Sequence, residues 1–349
     1  MNPLLRPSVA ALDPYAPGEQ LACPDLVKLN TNENPYPPSP AVARALASFD
    51  VSALRLYPPP LFDALRERIA QLHGCSPDAV FVGNGSDEVL RLATFAFTRP
   101  GGTVASFHPS YSLYPVLAAT AELSFEFAPL APDFSFLPPP PSLSATLFFL
   151  TQPNAPTGVL YPRADVEAFA RRFPGVVAID QAYADFSDSP EADATPLALT
   201  LPNVLVCRTL SKSWSLAGLR LGYAIGPLPL IRALYKIKDS YNVDALAQTV
   251  ALAALSDVPW MQANAARVRE SRESLRAELL RRGWTVVPSH ANFLFARPPA
   301  PHDAATVFRT LREAHVLVRH FPASPLTAPY LRISVGTPAQ ISRLLSLLP

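Results

Sequence analysis

Between about residues 60 and 240, short apolar runs alternate with stretches of helical character, and few architectures accommodate that pattern. A strand buried on both faces reads as a near-continuous apolar run, and intervening helices return the chain for parallel pairing. The candidate strands are Ala79 to Val82, Thr103 to Phe107, Thr146 to Leu150, Val176 to Asp180, Val204 to Arg208 and Leu221 to Ile225. The expectation is an α/β chain with a mainly parallel sheet between helices. Several of these strands end beside polar residues, where open α/β sheets bind their ligands.

Beyond about residue 240 the texture changes. A long Ala-, Arg- and Glu-rich helix is expected over Ala263 to Arg282, with strands at Thr285 to Val287, Phe293 to Ala296, Val316 to Arg319 and Leu331 to Val335. Helices are expected at Asp303 to Ala314 and Pro338 to Leu348, so this part reads as a second, smaller α+β domain. A chain of 349 residues has room for both.

Charge removes several function classes. With 29 basic against 28 acidic residues the formal net charge is +1, so no polyanion-binding excess is present and no nucleic-acid partner is expected. Three scattered cysteines, Cys23, Cys75 and Cys207, form neither a disulfide frame nor a CxxC pair. No apolar run reaches a membrane span and the N-terminus lacks a leader pattern, so the expected address is the cytoplasm. The six histidines have no metal-ligand spacing, and no metal site is expected.

Three segments carry candidate chemistry. Gly83-Asn84-Gly85-Ser86-Asp87-Glu88 joins an apolar strand to a helical pattern, which suits either a phosphate cradle at a helix N-terminus or an ordinary helix cap. Asp180 stands at a strand end with Tyr183 three residues later. A carboxylate there either caps a turn or sits against a pyridine nitrogen, strengthening the ring as an electron sink. Lys212, within Leu210-Ser211-Lys212-Ser213-Trp214-Ser215-Leu216-Ala217-Gly218-Leu219-Arg220, either is a plain surface lysine or serves as an amine nucleophile that forms an imine with an aldehyde cofactor, with Ser211 and Arg220 beside it able to hold a phosphate.

Taken with Leu29-Asn30-Thr31-Asn32-Glu33-Asn34-Pro35-Tyr36, Pro153-Asn154-Ala155-Pro156-Thr157-Gly158 and Leu331-Arg332-Ile333-Ser334-Val335-Gly336-Thr337, the chain resembles the fold-type-I, class I/II pyridoxal-phosphate aminotransferases. Within them it is most similar to the histidinol-phosphate branch, and the likeness spans nearly the whole sequence. The resemblance implies a large domain with a seven-stranded-type sheet over residues 31–240, a small domain over 241–349, and an N-terminal arm over 1–30 that contributes to the small domain. The implied cofactor is pyridoxal 5′-phosphate and the implied assembly a homodimer.

The resemblance also implies roles. Lys212 is the cofactor-bearing lysine and proton shuttle, Asp180 pairs with the pyridine nitrogen, and Tyr183 and Asn154 bond the ring oxygen. Ser86, Asp87, Ser211 and Arg220 hold the cofactor phosphate, Tyr111 stacks on the ring, and Tyr57 reaches the phosphate of the neighbouring subunit's cofactor. Tyr15, Asn32, Arg319 and Arg332 meet substrate, Arg332 at a carboxylate and Arg319 at a phosphate; a plain strand-end charge is the other reading of Arg319. One departure from the family stands out: its ring-oxygen asparagine commonly precedes Pro-Thr-Gly directly, whereas Ala155 holds that place here and Asn154 comes before it. The implied reaction moves the amino group of L-histidinol phosphate to 2-oxoglutarate, giving imidazole acetol phosphate and glutamate. Aromatic or broad-specificity amino-acid transamination and threonine-phosphate decarboxylation share nearly all these residues.

Overall fold

The computed structural model describes residues 4–12 and 17–349. Its central sheet has seven strands in the order Val80–Gly83, Gly222–Ile225, Val204–Thr209, Val176–Asp180, Leu147–Thr151, Thr103–His108 and Ser124–Pro129. Gly222–Ile225 runs antiparallel to both of its neighbours, and the remaining adjacent pairs are parallel. Along Leu147–Thr151 alternate residues join different cores: Phe148 and Leu150 pack on one side of the sheet, Leu147 and Phe149 on the other. Both faces are therefore covered, as the unbroken apolar runs required.

The edge strand Ser124–Pro129 was not among the expected strands. Most of its residues are exposed or half-buried, so it lacks the continuous apolar run that marked the inner strands. The other six strands of this sheet have boundaries within a residue or two of those expected.

A second, antiparallel sheet has the order Arg319–His320, Leu331–Ser334, Phe293–Arg297, Thr285–Val287. The segment expected as one strand, Val316 to Arg319, divides: Val316–Leu317 pairs in parallel with Val27–Lys28, while Arg319–His320 pairs with Leu331–Ser334. The long helix spans Val258–Arg281 and begins earlier than expected because Pro259 lies in its first turn, where a missing N–H costs no helical bond. Asp257 caps that end by accepting from the Trp260 N–H at 3.4 Å.

Thr151, Asp180 and Thr209 close the carboxyl ends of three adjacent parallel strands. They line one cavity together with the loop after Val80–Gly83, the Ser211–Arg220 loop, the Asn30–Asn32 segment and the second sheet. The site thus forms where strand ends, loops and the second sheet converge.

Candidate active site

One end of the cavity is built for an anion. Gly85 is left-handed at φ 82° and precedes the helix Ser86–Phe97, whose N-terminus has no side-chain cap. Its unpaired N–H groups and dipole therefore face the cavity. Arg220, also left-handed at φ 57°, points its guanidinium to the same place, 3.1 Å from Asp87 Oδ2 and 3.5 Å from Ser211 Oγ. The packing leaves no room for larger residues: a Cβ on Gly222 would lie 2.3 Å from the Ser86 nitrogen. Neither Ser86 nor Asp87 caps this helix end with its side chain, and both line the cavity.

At the sheet end, Asp180 is 4% exposed. Its Oδ1 accepts the Ala182 N–H at 3.1 Å and its Oδ2 the Tyr114 hydroxyl at 3.0 Å. Burial pushes the carboxyl up to about 6, against the hydrogen bonds that favour its ionised form. Lys212 extends into the cavity and donates from Nζ to the Thr31 carbonyl at 2.9 Å. Burial, reinforced by Arg332 and Arg220, lowers its ammonium to about 8, so a neutral amine is accessible near neutral pH.

The loop carrying Lys212 is gripped from two sides. Asn34 donates to the carbonyls of Lys212 and Ser213 at 3.2 and 3.1 Å. Ser213 donates to Asp185, which is ion-paired at 2.8 Å with Arg208, a guanidinium also held by Asp193 and Gln181. Gln181, adjacent to Asp180, thus supports the lysine loop and does not line the cavity.

Tyr183 stands with its ring edge against Phe293 and its hydroxyl accepting from Asn32 Nδ2 at 3.0 Å. Asn32 is itself left-handed and fixed by Ser334, which accepts its backbone N–H at 2.9 Å and donates to its Oδ1 at 2.8 Å. Asn32 therefore orients a phenol as well as lining the cavity. Arg319 and Arg332 face one another across the second sheet. Like charges so placed repel, and Phe321 lies near both, 5.7 Å from the Arg319 guanidinium and 5.4 Å from that of Arg332. Each arginine also donates to a main-chain carbonyl of the N-terminal segment, Arg319 to Pro17 and Arg332 to Asn30.

The structure gathers Lys212, Asp180, Tyr183, Ser86, Asp87, Tyr111, Ser211, Arg220, Asn32, Arg319 and Arg332 around this one cavity. Asn154 is placed differently. It is 1% exposed, its Nδ2 donates to Pro109 O and Thr157 Oγ1, and its Oδ1 accepts from Ser110. Ala155, not Asn154, lines the cavity, so the ring-oxygen contact expected of Asn154 has no counterpart in this arrangement. Tyr57 is 79% exposed, stacks on Tyr241 at 4.3 Å, and lies outside the cavity of its own chain. Tyr15 falls outside the described residues.

Sequence reasoning missed Tyr114, Thr151, Ser110 and Phe321. The spacing of Tyr114 three residues after Tyr111 was a signal, since a helical turn puts both on one side. Nothing local pointed to Thr151 or Phe321. Among the described residues, no group of three or more His, Cys, Asp or Glu is arranged to hold a metal, and no helix is long and apolar enough to cross a membrane.

Residues 24–348 match the family model described as aminotransferase class I and II. The chain is 43% identical over 349 residues to the histidinol-phosphate aminotransferase of Syntrophotalea carbinolica, covering 100% of this chain and 99% of that protein. It is 45% identical to histidinol-phosphate aminotransferase 1 of Bordetella parapertussis, covering 98% and 97%. The structure of histidinol-phosphate aminotransferase from Sinorhizobium meliloti in complex with pyridoxal-5′-phosphate superposes with a TM-score of 0.88 at 23% identity, covering 99% of this chain and 97% of that one. A mutant of Thermus thermophilus aspartate aminotransferase gives 0.81 at 24%, covering 98% of each. At those identities the likeness concerns the fold.

Proposed function

The chain belongs to the class I and II aminotransferases, and from that premise we propose that it transfers the amino group of L-histidinol phosphate to 2-oxoglutarate, giving imidazole acetol phosphate and glutamate in histidine biosynthesis. The observation that carries this reading is the end-to-end identity of 43% with a relative of that activity, joined to a cavity with separate cationic stations. One station is Arg220 at the helix N-terminus; the others are Arg319 and Arg332 on the second sheet.

The cofactor of the family is pyridoxal 5′-phosphate. The residues fit it: the uncapped helix end, Ser211 and Arg220 suit its phosphate, Asp180 its ring nitrogen, and Tyr183 its ring oxygen. Tyr111 is the aromatic neighbour for its ring. When bound, it supplies an aldehyde carbon that accepts the amino group and a ring that takes up electrons from the substrate.

The chain's own residues do the rest. Lys212 Nζ, neutral above about pH 8, is the base that would take the proton from the substrate α-carbon and deliver it to the cofactor's C4′ carbon. Asp180 keeps a carboxylate at the ring nitrogen, and Asn32 holds the Tyr183 hydroxyl in place. Arg332 offers a planar fork to the carboxylates of 2-oxoglutarate and glutamate, and Arg319 meets the phosphate of the amino donor. Both exchange a carbonyl partner for an anion when substrate enters.

The same reading makes the enzyme a cytoplasmic homodimer with shared sites. The exposed apolar residues Val51, Leu54, Leu56, Tyr57 and Leu61, with Tyr241, support it, because a face of that kind is ordinarily covered. Tyr57 then reaches the partner's cofactor phosphate. The test is a single-turnover donor panel of histidinol phosphate, histidinol, phenylalanine and threonine phosphate, scored for oxo product and carbon dioxide. Preference for histidinol phosphate over histidinol is expected; equal rates with phenylalanine, or release of carbon dioxide from threonine phosphate, would overturn it.

A further inference from the structure

Of the two hydrogen bonds that Asp180 receives, one comes from a residue with no role so far. Tyr114 is 0% exposed, its ring is stacked on Phe149 at 4.6 Å, and its hydroxyl lies 3.0 Å from Asp180 Oδ2. The same hydroxyl is 2.7 Å from Thr151 Oγ1, and Thr151 is 3.1 Å from Ser110 Oγ. Chemistry fixes the directions of these bonds. An ionised carboxylate only accepts, so Tyr114 donates to it and must accept from Thr151. Thr151, its proton committed to Tyr114, has none left for Ser110, whose single proton is divided between Thr151 at 3.1 Å and Asn154 Oδ1 at 3.3 Å. Two hydroxyl dipoles, of Thr151 and Tyr114, then point one after the other at Asp180, and aligned hydrogen bonds in a buried setting polarise one another.

We propose that Tyr114, backed by Thr151, is a positioning residue that keeps the Asp180 carboxylate aimed and lowers its affinity for a proton, so that the proton shared with the cofactor's ring nitrogen stays on the nitrogen. The inference rests on the reading of Asp180 as the partner of that nitrogen. A buried phenol O–H needs a partner, but a phenol that only filled core space would be as well served by a carbonyl. Here it meets the one carboxylate at the strand end, and Thr151 and Ser110 both line the cavity. The surroundings explain why such a donor is needed. Burial and Asp87, on the helix Ser86–Phe97, oppose ionisation of Asp180, while Tyr114, the Ala182 N–H and Lys212 favour it. Cys207 on the neighbouring strand is a thiol that burial keeps neutral, so it adds no charge.

The experiment is nitrogen NMR of the holoenzyme loaded with ring-15N pyridoxal phosphate, which reads the proton on the nitrogen without turnover. Tyr114→Phe keeps the stack on Phe149 and deletes only the hydroxyl. Losing one hydrogen bond to a charged group corresponds to a pKa change of about one unit. The 15N resonance should therefore move towards its unprotonated position. kcat should fall on the order of tenfold with the donor KM within about twofold. Thr151→Val should shift the resonance the same way by less, which keeps the test open if Tyr114→Phe fails to fold. An unmoved resonance in both variants would overturn the inference. Asp180→Asn separates the two layers: if it leaves the nitrogen protonated, the reading of Asp180 itself is wrong. If it removes the proton while Tyr114→Phe does not, the relay alone is wrong.

Discussion

The two ends of the cavity are held in different ways. At the cofactor end, Asp180 and Lys212 sit among side chains that fix one another: Tyr114 and Thr151 on one side, Asn34, Ser213, Asp185 and Arg208 on the other. At the substrate end, Arg319 and Arg332 lie near one phenyl ring and donate to main-chain carbonyls of the N-terminal segment. On the proposed function the first end accommodates one permanent occupant, so rigidity is useful there. The second then receives a phosphate in one half-reaction and a carboxylate in the other, so exchangeable partners suit it. Preorganisation is thus concentrated where the occupant never changes.

The sharpest way to break this comparison is at Lys212. Lys212→Ala should lower multiple-turnover transamination by at least about a thousandfold, the scale of a lost proton-transfer group, while the cradle and Asp180 keep much of the cofactor affinity. Near-normal turnover without added amines would show that another base does the work. Next in size is a stability effect. The carboxyl of Asp180 is raised from 3.8 to about 6 in the folded chain, so its contribution is fully present below pH 4 and is lost as pH rises through 6. Asp180→Asn should make the cofactor-free protein more stable by roughly 2–3 kcal/mol at pH 8, with little difference near pH 4. Urea unfolding at the two pH values measures it, and equal stabilities at pH 8 would mean that the empty site is not strained.

The substrate end should show a smaller, divided response. A lost charge-assisted contact costs about 2 kcal/mol, or roughly thirtyfold in a specificity constant. Arg319→Ala should weaken the histidinol-phosphate half-reaction more than the 2-oxoglutarate one, and Arg332→Ala the reverse, in single-turnover spectra. Equal effects on both halves would erase the distinction between the two arginines. Smallest is Asn32→Ala, which removes the Asn32 donor from the Tyr183 hydroxyl and should lower kcat about fivefold, the scale of one neutral hydrogen bond, with cofactor still retained.

The sequence disclosed the cofactor end better than its supports. Lys212, Asp180 and Arg220 could be read because each stands beside a strand in a run of diagnostic neighbours. Tyr114 could not be read as a partner of Asp180, because 66 residues separate them and the contact exists only once two strands and a helix have packed. The inner strands announced themselves through burial on both faces. Ser124–Pro129, at the sheet edge, and Val27–Lys28, two residues long, carry no such imprint. Asn154 shows the limit of transferring a motif: one residue of offset before a proline sends its amide into the loop and leaves the alanine facing the cavity.

The knot of Asn32, Ser334 and Asn292 has a consequence for motion. Asn292 donates to the Asn32 carbonyl at 2.9 Å, Ser334 holds the rest of that residue, and Asn32 in turn holds the hydroxyl of Tyr183. Ser334 belongs to the second sheet, whereas Tyr183 follows a central strand of the first. The phenol is therefore a gauge of how the two sheets are seated. A slide of the second sheet by about an ångström would stretch a 3.0 Å hydrogen bond beyond its useful range. Chemistry at the phenol and the seating of a sheet some 150 residues further along the chain, the separation between Tyr183 and Ser334, then rise and fall together.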